Sequence, residues 1–220
     1  MTHFSDGVRA GRNFANNGTA SEPGAFMSPI NVYDVVPAAL VTNGICAQQT
    51  ITGAANAVIN GSLASGGVAT LDVPRNVIVD AAGAATAVLT VFGTDAYGIS
   101  MSEAITLNGT TAVAGKKAFK TITRIASSAT ATDIFVGTGD VFGLPIRANS
   151  RNYVQTAWNG AFVTTGTFAA ADATAATTTT GDVRGTFAPA DAADATKRLT
   201  LWVNVFDDDT QVGLYGVTQA

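Results

Sequence analysis

Residues that carry chemistry are scarce in this 220-residue chain, which has one histidine, His3, and one cysteine, Cys46. A single histidine near the start takes histidine triads, histidine general bases and histidine-rich metal sites out of consideration. A single cysteine allows neither an internal disulfide nor a cysteine metal cluster. In Leu40-Val-Thr-Asn-Gly-Ile-Cys-Ala it reads as a small buried thiol. Glutamate occurs only at Glu22 and Glu103, which leaves little for the paired carboxylates of glycoside hydrolysis. Charged residues make up 13% of the chain, against about a quarter in an average soluble domain. Polar surface must therefore come from Thr, Ser, Asn and backbone, as suits a protein packed against neighbours.

Other absences narrow the partners. The formal net charge is -4, and no basic patch with interleaved aromatics occurs. Lys116–Lys117 with Lys120 is the densest cationic spot, so nucleic acid is not an expected partner. No apolar run approaches the roughly 20 residues that span a bilayer, and Met1-Thr-His-Phe-Ser-Asp lacks the charged and apolar regions of a secretory signal. The expectation is synthesis in a cytoplasm and no membrane partner. The nucleophile-elbow pattern G-x-S-x-G does not occur. Gly137-Thr-Gly-Asp-Val-Phe-Gly is glycine-rich, but its spacing is not G-x-G-x-x-G, and no helix pattern follows to receive a phosphate. Asp207-Asp208-Asp209 has ligands of the right type for calcium but no EF-hand spacing, and reads as a solvated turn. Asp140, Asp172, Asp182, Asp191 and Asp194 are scattered in loop-like contexts. No catalytic residue, cofactor or metal site is expected.

What is present is β pattern. Residues 1–36 form a separate stretch dominated by Gly, Asn, Ser and Pro, with isolated Phe4, Phe14, Phe26 and Tyr33. Such a segment cannot bury enough surface alone to offset its ordering entropy. It reads as an extended arm whose aromatics anchor on its own domain or on a neighbouring subunit, an unanchored terminus being the alternative. From about residue 38 the chain reads as strands. Ile99, Met101, Ile105 and Leu107 alternate with Ser100, Ser102, Ala104 and Thr106, the period of a half-buried strand. Thr86-Ala-Val-Leu-Thr-Val-Phe-Gly precedes it across turn residues 95–98, so 86–107 reads as a hairpin. Asn108-Gly109 and Asn159-Gly160 supply turns with positive φ at low cost, and the second lies between two strand-like runs, a specific hairpin signal. Further strands are expected at 40–52, 74–80, 117–127, 133–137, 151–158, 161–168 and 198–206. In the last, Leu199, Leu201, Val203 and Val205 alternate with Thr200, Trp202, Asn204 and Phe206; apolar residues on both faces mark a central strand or an interface.

No segment makes a convincing amphipathic helix. Many short strands punctuated by Gly, Asn and Asp point to an all-β sandwich or barrel rather than an α/β fold, and an antiparallel β-sandwich over 37–220 is the expectation. A Thr- and Ala-rich stretch at about 168–197 reads as an exposed excursion at one end. Glu103 falls on an otherwise apolar strand face, where it needs a partner such as Arg124 or Lys120 to stay charged. Trp158 and Trp202 suit either sugar stacking or a core or interface role, the latter more common in a sandwich.

Three stretches together resemble the capsid cement proteins of short-tailed phages, the family typified by the Bordetella phage cement protein. They are Val73-Pro-Arg-Asn-Val; the block from Gly93-Thr-Asp-Ala-Tyr-Gly through Lys116-Lys-Ala-Phe-Lys-Thr-Ile-Thr; and Gly181-Asp-Val-Arg-Gly-Thr-Phe-Ala-Pro followed by Lys197-Arg198-Leu199. The likeness runs from about residue 38 to 206, with the middle block the most specific. It implies a non-enzymatic, jelly-roll-like sandwich on the capsid exterior, forming homodimers or higher oligomers and clamping neighbouring major capsid protein subunits. Phe4, Phe14, Phe26, Tyr33 and Trp202 are the residues expected to meet partners. A tail or head-fibre component and a carbohydrate-binding β-module are the competing readings.

Overall fold

A computed structural model describes residues 30–162, 166–172, 175–204 and 217–219. It is an antiparallel all-β sandwich of a large and a small sheet. The small sheet has the order β1 (Ile30–Val35), β14 (Leu199–Asn204), β10 (Val154–Trp158), β11 (Ala161–Phe162). The main path of the large sheet is β12 (Thr167–Ala169), β13 (Thr186–Ala188), β9 (Ala131–Gly143), β4 (Val68–Ala81), β8 (Phe119–Ser127), β5 (Val88–Thr94), β6 (Ser100–Thr106). β2 (Cys46–Ile51) pairs with β9, while β3 (Ala64–Ser65) and β7 (Val113–Ala114) pair with β4.

Two apolar clusters follow from this layout. The first lies within the curled large sheet and includes Leu71, Val77, Leu89, Val91, Met101, Phe119, Ile125 and Val136. The second is sandwiched between the sheets: Val73, Phe142 and Phe187 from the large one meet Val154, Trp158, Leu199, Leu201 and Val203 from the small one.

Local sequence accounts for the hairpins. β5 and β6 pair from Val88↔Thr106 to Thr94↔Ser100, and the Asp95 carboxylate closes the turn by accepting from the N–H groups of Tyr97 and Ile99. β10 and β11 are joined by Asn159 (φ 51°) and Gly160 (φ 81°), both central residues left-handed as a type I′ turn requires.

β4 and β9, paired with each other, both enter the two clusters. The alternation of β4 lapses at Arg75–Val77, three successive buried residues, where register shifts interrupt its pairing with β8 and β9. Pro74 sits at this irregularity and brings no N–H to the ladder. Side chains stitch the gap. Arg75, 1% exposed, donates from Nε to Gly139 O (2.6 Å), from Nη1 to Ala38 O (2.8 Å) and Asp72 Oδ1 (3.2 Å), and from Nη2 to Asp140 Oδ1 (2.5 Å). Asn76 donates to Gly115 O and accepts from Val141 N.

Two stretches marked out in the sequence take definite places. The arm assigned to 1–36 overlaps β1, which is hydrogen-bonded to β14; residues 1–29 lie outside the described residues. The 168–197 stretch is not simply an exposed excursion. It supplies β12 and β13, and Asp182 to Phe187 are all buried. Its low-complexity composition hides a polar core segment held by hydrogen bonds rather than by apolar periodicity.

Replacing Arg75 with Met leaves Asp140 and Asp72 without their shared cation, and breaking a buried pair costs about 3 kcal/mol or more. Urea denaturation followed by fluorescence should show that loss. Cys46 is wholly buried, and burial pushes its thiol up to about 12. An aromatic disulfide reagent at pH 8 should therefore leave the native protein unmodified and label one thiol per chain in denaturant.

Candidate partner-binding surface

The small sheet sets the geometry. β14 turns Leu199, Leu201 and Val203 into the second cluster, so Thr200 and Trp202 face outward. The β10 register, Gln155↔Trp202 and Ala157↔Thr200, puts Gln155 and Ala157 on that outer face. Ala157↔Phe162 places Phe162 there too. In β1, Tyr33 and Val35 pack inward on the cluster, so Val32 and Asp34 point out.

The outer face carries the apolar side chains Val32, Trp202 and Phe162 beside Gln155, Thr200 and Asp34. Val32 is 60% exposed and Phe162 70% exposed, while Trp202 is half-buried with its ring 5.4 Å from that of Phe162. A polar border flanks the apolar side chains: Asp34 accepts from Arg198 Nη1 (2.6 Å) and from Thr200 Oγ1 (3.0 Å). Those charges are matched within the chain, so a partner meets apolar surface beside a neutralised pair.

The sequence-predicted contact residues divide accordingly. Phe4, Phe14 and Phe26 lie outside the described residues, as do His3 and Asp207–Asp209. Tyr33 is an inward, half-buried side chain of β1, its hydroxyl pushed up to about 12 by burial and by nearby Asp72. It anchors its own domain. Trp202 does stand on the outer face. Val32 and Phe162 were missed; the Asn159-Gly160 turn, which fixes the register of β11 against β10, was the signal for Phe162.

The charged groups that might have carried chemistry are turned to internal tasks. Glu103 is buried, and its carboxylate accepts from the backbone N–H groups of Lys116 (2.5 Å) and Lys117 (3.2 Å). Its expected partners are engaged elsewhere: Arg124 lies 3.5 Å over the Phe92 ring, and Lys120 Nζ donates to Leu71 O and Asp72 O. Lys117, also buried, donates from Nζ to Thr177 O. Asp182 accepts from Ala118 N and Arg184 N, and Arg184 Nη1 pairs with Asp95 at 2.8 Å, both nearly inaccessible. Asp140 serves Arg75, Asp172 accepts from Gly181 N, and Asp194 caps a turn through Thr196 and Lys197. Among the described residues no group of three His, Cys, Asp or Glu side chains could hold a metal ion.

Burial pushes the carboxyls of Glu103 and Asp182 above the usual carboxylate range, against the pull of their N–H donors and neighbouring cations. The Lys117 ammonium is pushed below its ordinary value, again by burial. Compared with known proteins, the chain matches no family model, no curated sequence and no solved structure.

A carboxyl with a raised folded-state pKa binds its proton more readily folded than unfolded. The stability Glu103 contributes is thus complete below the ordinary carboxylate range and is lost as pH rises through its folded pKa. Denaturant titrations between pH 4 and 7 should give wild type a more negative slope of stability against pH than Glu103→Gln; parallel slopes would remove this assignment.

Proposed function

We propose that this is a structural, non-catalytic virion protein that binds the outside of a phage capsid and clamps neighbouring major capsid protein subunits. The observation that carries the reading is the apolar group Val32, Trp202 and Phe162 on the outer face of the small sheet, on a domain whose buried charges are spent on its own backbone. The resemblance at 73–125 and 181–199 gives that surface its proposed setting.

The physics of a shell suits such a face. A molecule that bridges two capsid subunits is held only when both are present, so modest contacts add through multivalency. Low surface charge limits repulsion among many copies crowded on one particle. Buried aromatic anchors such as Trp at the centre of a contact supply much of its energy, and the near-neutral contacts around them keep water out.

The exposed Phe162–Trp202 pair also favours a second reading, a sugar-binding platform, because aromatic faces stack on pyranose rings. Its rings are tilted 38° to each other rather than coplanar.

Electron microscopy of particles carrying this chain should place its density over junctions between capsid subunits; density confined to the tail would overturn the cement reading. Trp202→Ala with Phe162→Ser should lower occupancy on preassembled shells at least tenfold with little change in melting temperature. Glycan-array hits abolished by the same pair would support the sugar reading instead. The role of the N-terminal residues is tested by removing 1–29, which spares β1: shell occupancy should fall while the sandwich stays folded.

A further inference from the structure

Asparagine followed by glycine carries chemistry of its own, and among the described residues the pair occurs at 43–44, 60–61, 108–109 and 159–160. The glycine main-chain nitrogen, once deprotonated, can attack the asparagine side-chain carbonyl, and glycine has no Cβ to obstruct the approach. All four asparagines are exposed, so exposure of the side chain does not separate them. The state of the attacking nitrogen does.

At three of the pairs the glycine N–H is tied to a main-chain carbonyl. Gly44 N donates to Val41 O (3.3 Å), Gly61 N to Ile45 O (3.0 Å) and Gly109 N to Ala85 O (2.9 Å). Each bond has to break before the nitrogen can lose its proton and turn toward the side chain. Asn60 is held a second time, its side-chain oxygen accepting from Ala47 N at 3.0 Å. Gly160 differs. It is the exposed glycine of the four, and it is the second central residue of the type I′ turn between β10 and β11. That turn is closed through the flanking Trp158 and Ala161, which leaves the Gly160 N–H to solvent.

Attack requires the Asn159–Gly160 peptide to rotate about the Asn159 Cα–C bond, which opens the turn. Resistance to this is slight. β11 is an edge strand held to β10 by the Ala157↔Phe162 and Trp158↔Ala161 pairs, and a hairpin so short is marginal by itself. β10 stays in place, because it pairs with β14 from Val154↔Val203 to Trp158↔Leu199, and Asn159 N donates to Arg198 O at 2.8 Å. The asparagine is thus fixed on its N-terminal side and opens locally on the other.

We propose that Asn159 is a site of spontaneous covalent modification, deamidation through a cyclic imide, which the fold selects from the Asn-Gly pairs it holds. Gly160 N gives its proton to hydroxide and bonds to Asn159 Cγ. The Cγ–Nδ2 bond breaks, and Nδ2 leaves as ammonia with a proton taken from water. Water then opens the imide at either carbonyl, giving aspartate or isoaspartate, with nothing oxidised or reduced. Both products put a carboxylate at the tip of the hairpin that carries Phe162. Isoaspartate also routes the main chain through the side-chain carbon and lengthens the turn, so the register that sets Phe162 against Trp202 is lost. The outer face of the small sheet therefore changes with the age of the molecule. The modification itself does not depend on the virion reading.

The test is peptide mapping by mass spectrometry of the full chain kept for weeks at pH 8, both native and in urea. In the native chain, conversion at Asn159 should run about tenfold or more ahead of Asn43, Asn60 and Asn108, whose glycine N–H bonds must first open. In urea the four rates should draw level, because each pair consists of the same two residues. A native rate at any of the other three that equals that at Asn159, or a preference for Asn159 that persists in urea, would overturn the proposal. Asn159→Gly, equally suited to a type I′ turn, reads the consequence: native tryptophan emission should drift with age in the wild type and hold constant in this variant. Equal drift in both would refute the loss of register.

Discussion

The guanidinium of Arg75 is the constraint around which the sandwich is arranged. It cannot shed its charge, so once inside it has to be matched, and its planar fork dictates where the matching atoms stand. Gly139 on β9, Ala38 in the segment after β1, Asp72 on its own strand and Asp140 on β9 all meet it, and Phe142 of the inter-sheet cluster lies beneath it at 5.2 Å. One side chain thus fixes the approach of β4 to β9 at the place where Pro74 interrupts the ladder. Gly139 belongs to the same arrangement. A Cβ there would sit 2.3 Å from the Asn76 side-chain oxygen, so the amide that bridges Gly115 and Val141 needs glycine opposite it.

The same device recurs at the other end of the large sheet. Glu103 gathers the 116–117 backbone, Asp182 ties that loop to the chain around Arg184, and Arg184 returns to the β5–β6 turn through Asp95. A chain with few charges has placed several of them inside, as links between segments far apart in sequence. Outside, among the described residues, exposed pairs such as Asp34–Arg198 stand beside hydroxyl-bearing and apolar side chains, Val32, Trp202 and Phe162 included. Internal links and outer face are therefore two sides of one allocation of charge, which is why the proposed structural role and the fold can be argued together.

The sequence was most informative where the determining residues are adjacent. Asn159-Gly160 specifies its own turn, and the alternation of 99–107 places Met101, Glu103 and Ile105 on one face without reference to anything distant. Glu103 was correctly singled out as an inward carboxylate, but its partners are main-chain N–H groups, which leave no mark in residue identity. Between the two anchorages open to Tyr33, its own domain or a neighbour, the sequence could not choose, because β1 gains its meaning only from β14, more than 160 residues later. The Asp182–Phe187 core segment was obscured by the Ala- and Thr-rich composition around it, since segments held by hydrogen bonds show no apolar period. Phe162 was overlooked because what sets its face is the register against β10, which the composition of its own run does not show.

β6 closes one end of the large sheet, and the Ala104 N–H on its open side is met by the carbonyl of Thr178, with Lys117 holding Thr177 alongside. An open strand edge invites any other strand to join it. By laying its own threonine-rich segment against that edge, the molecule competes in cis with every intermolecular alternative, and the cis contender needs no diffusion to arrive. The segment thus blunts the β6 edge at Ala104, the place where an added strand would otherwise find an unpaired N–H.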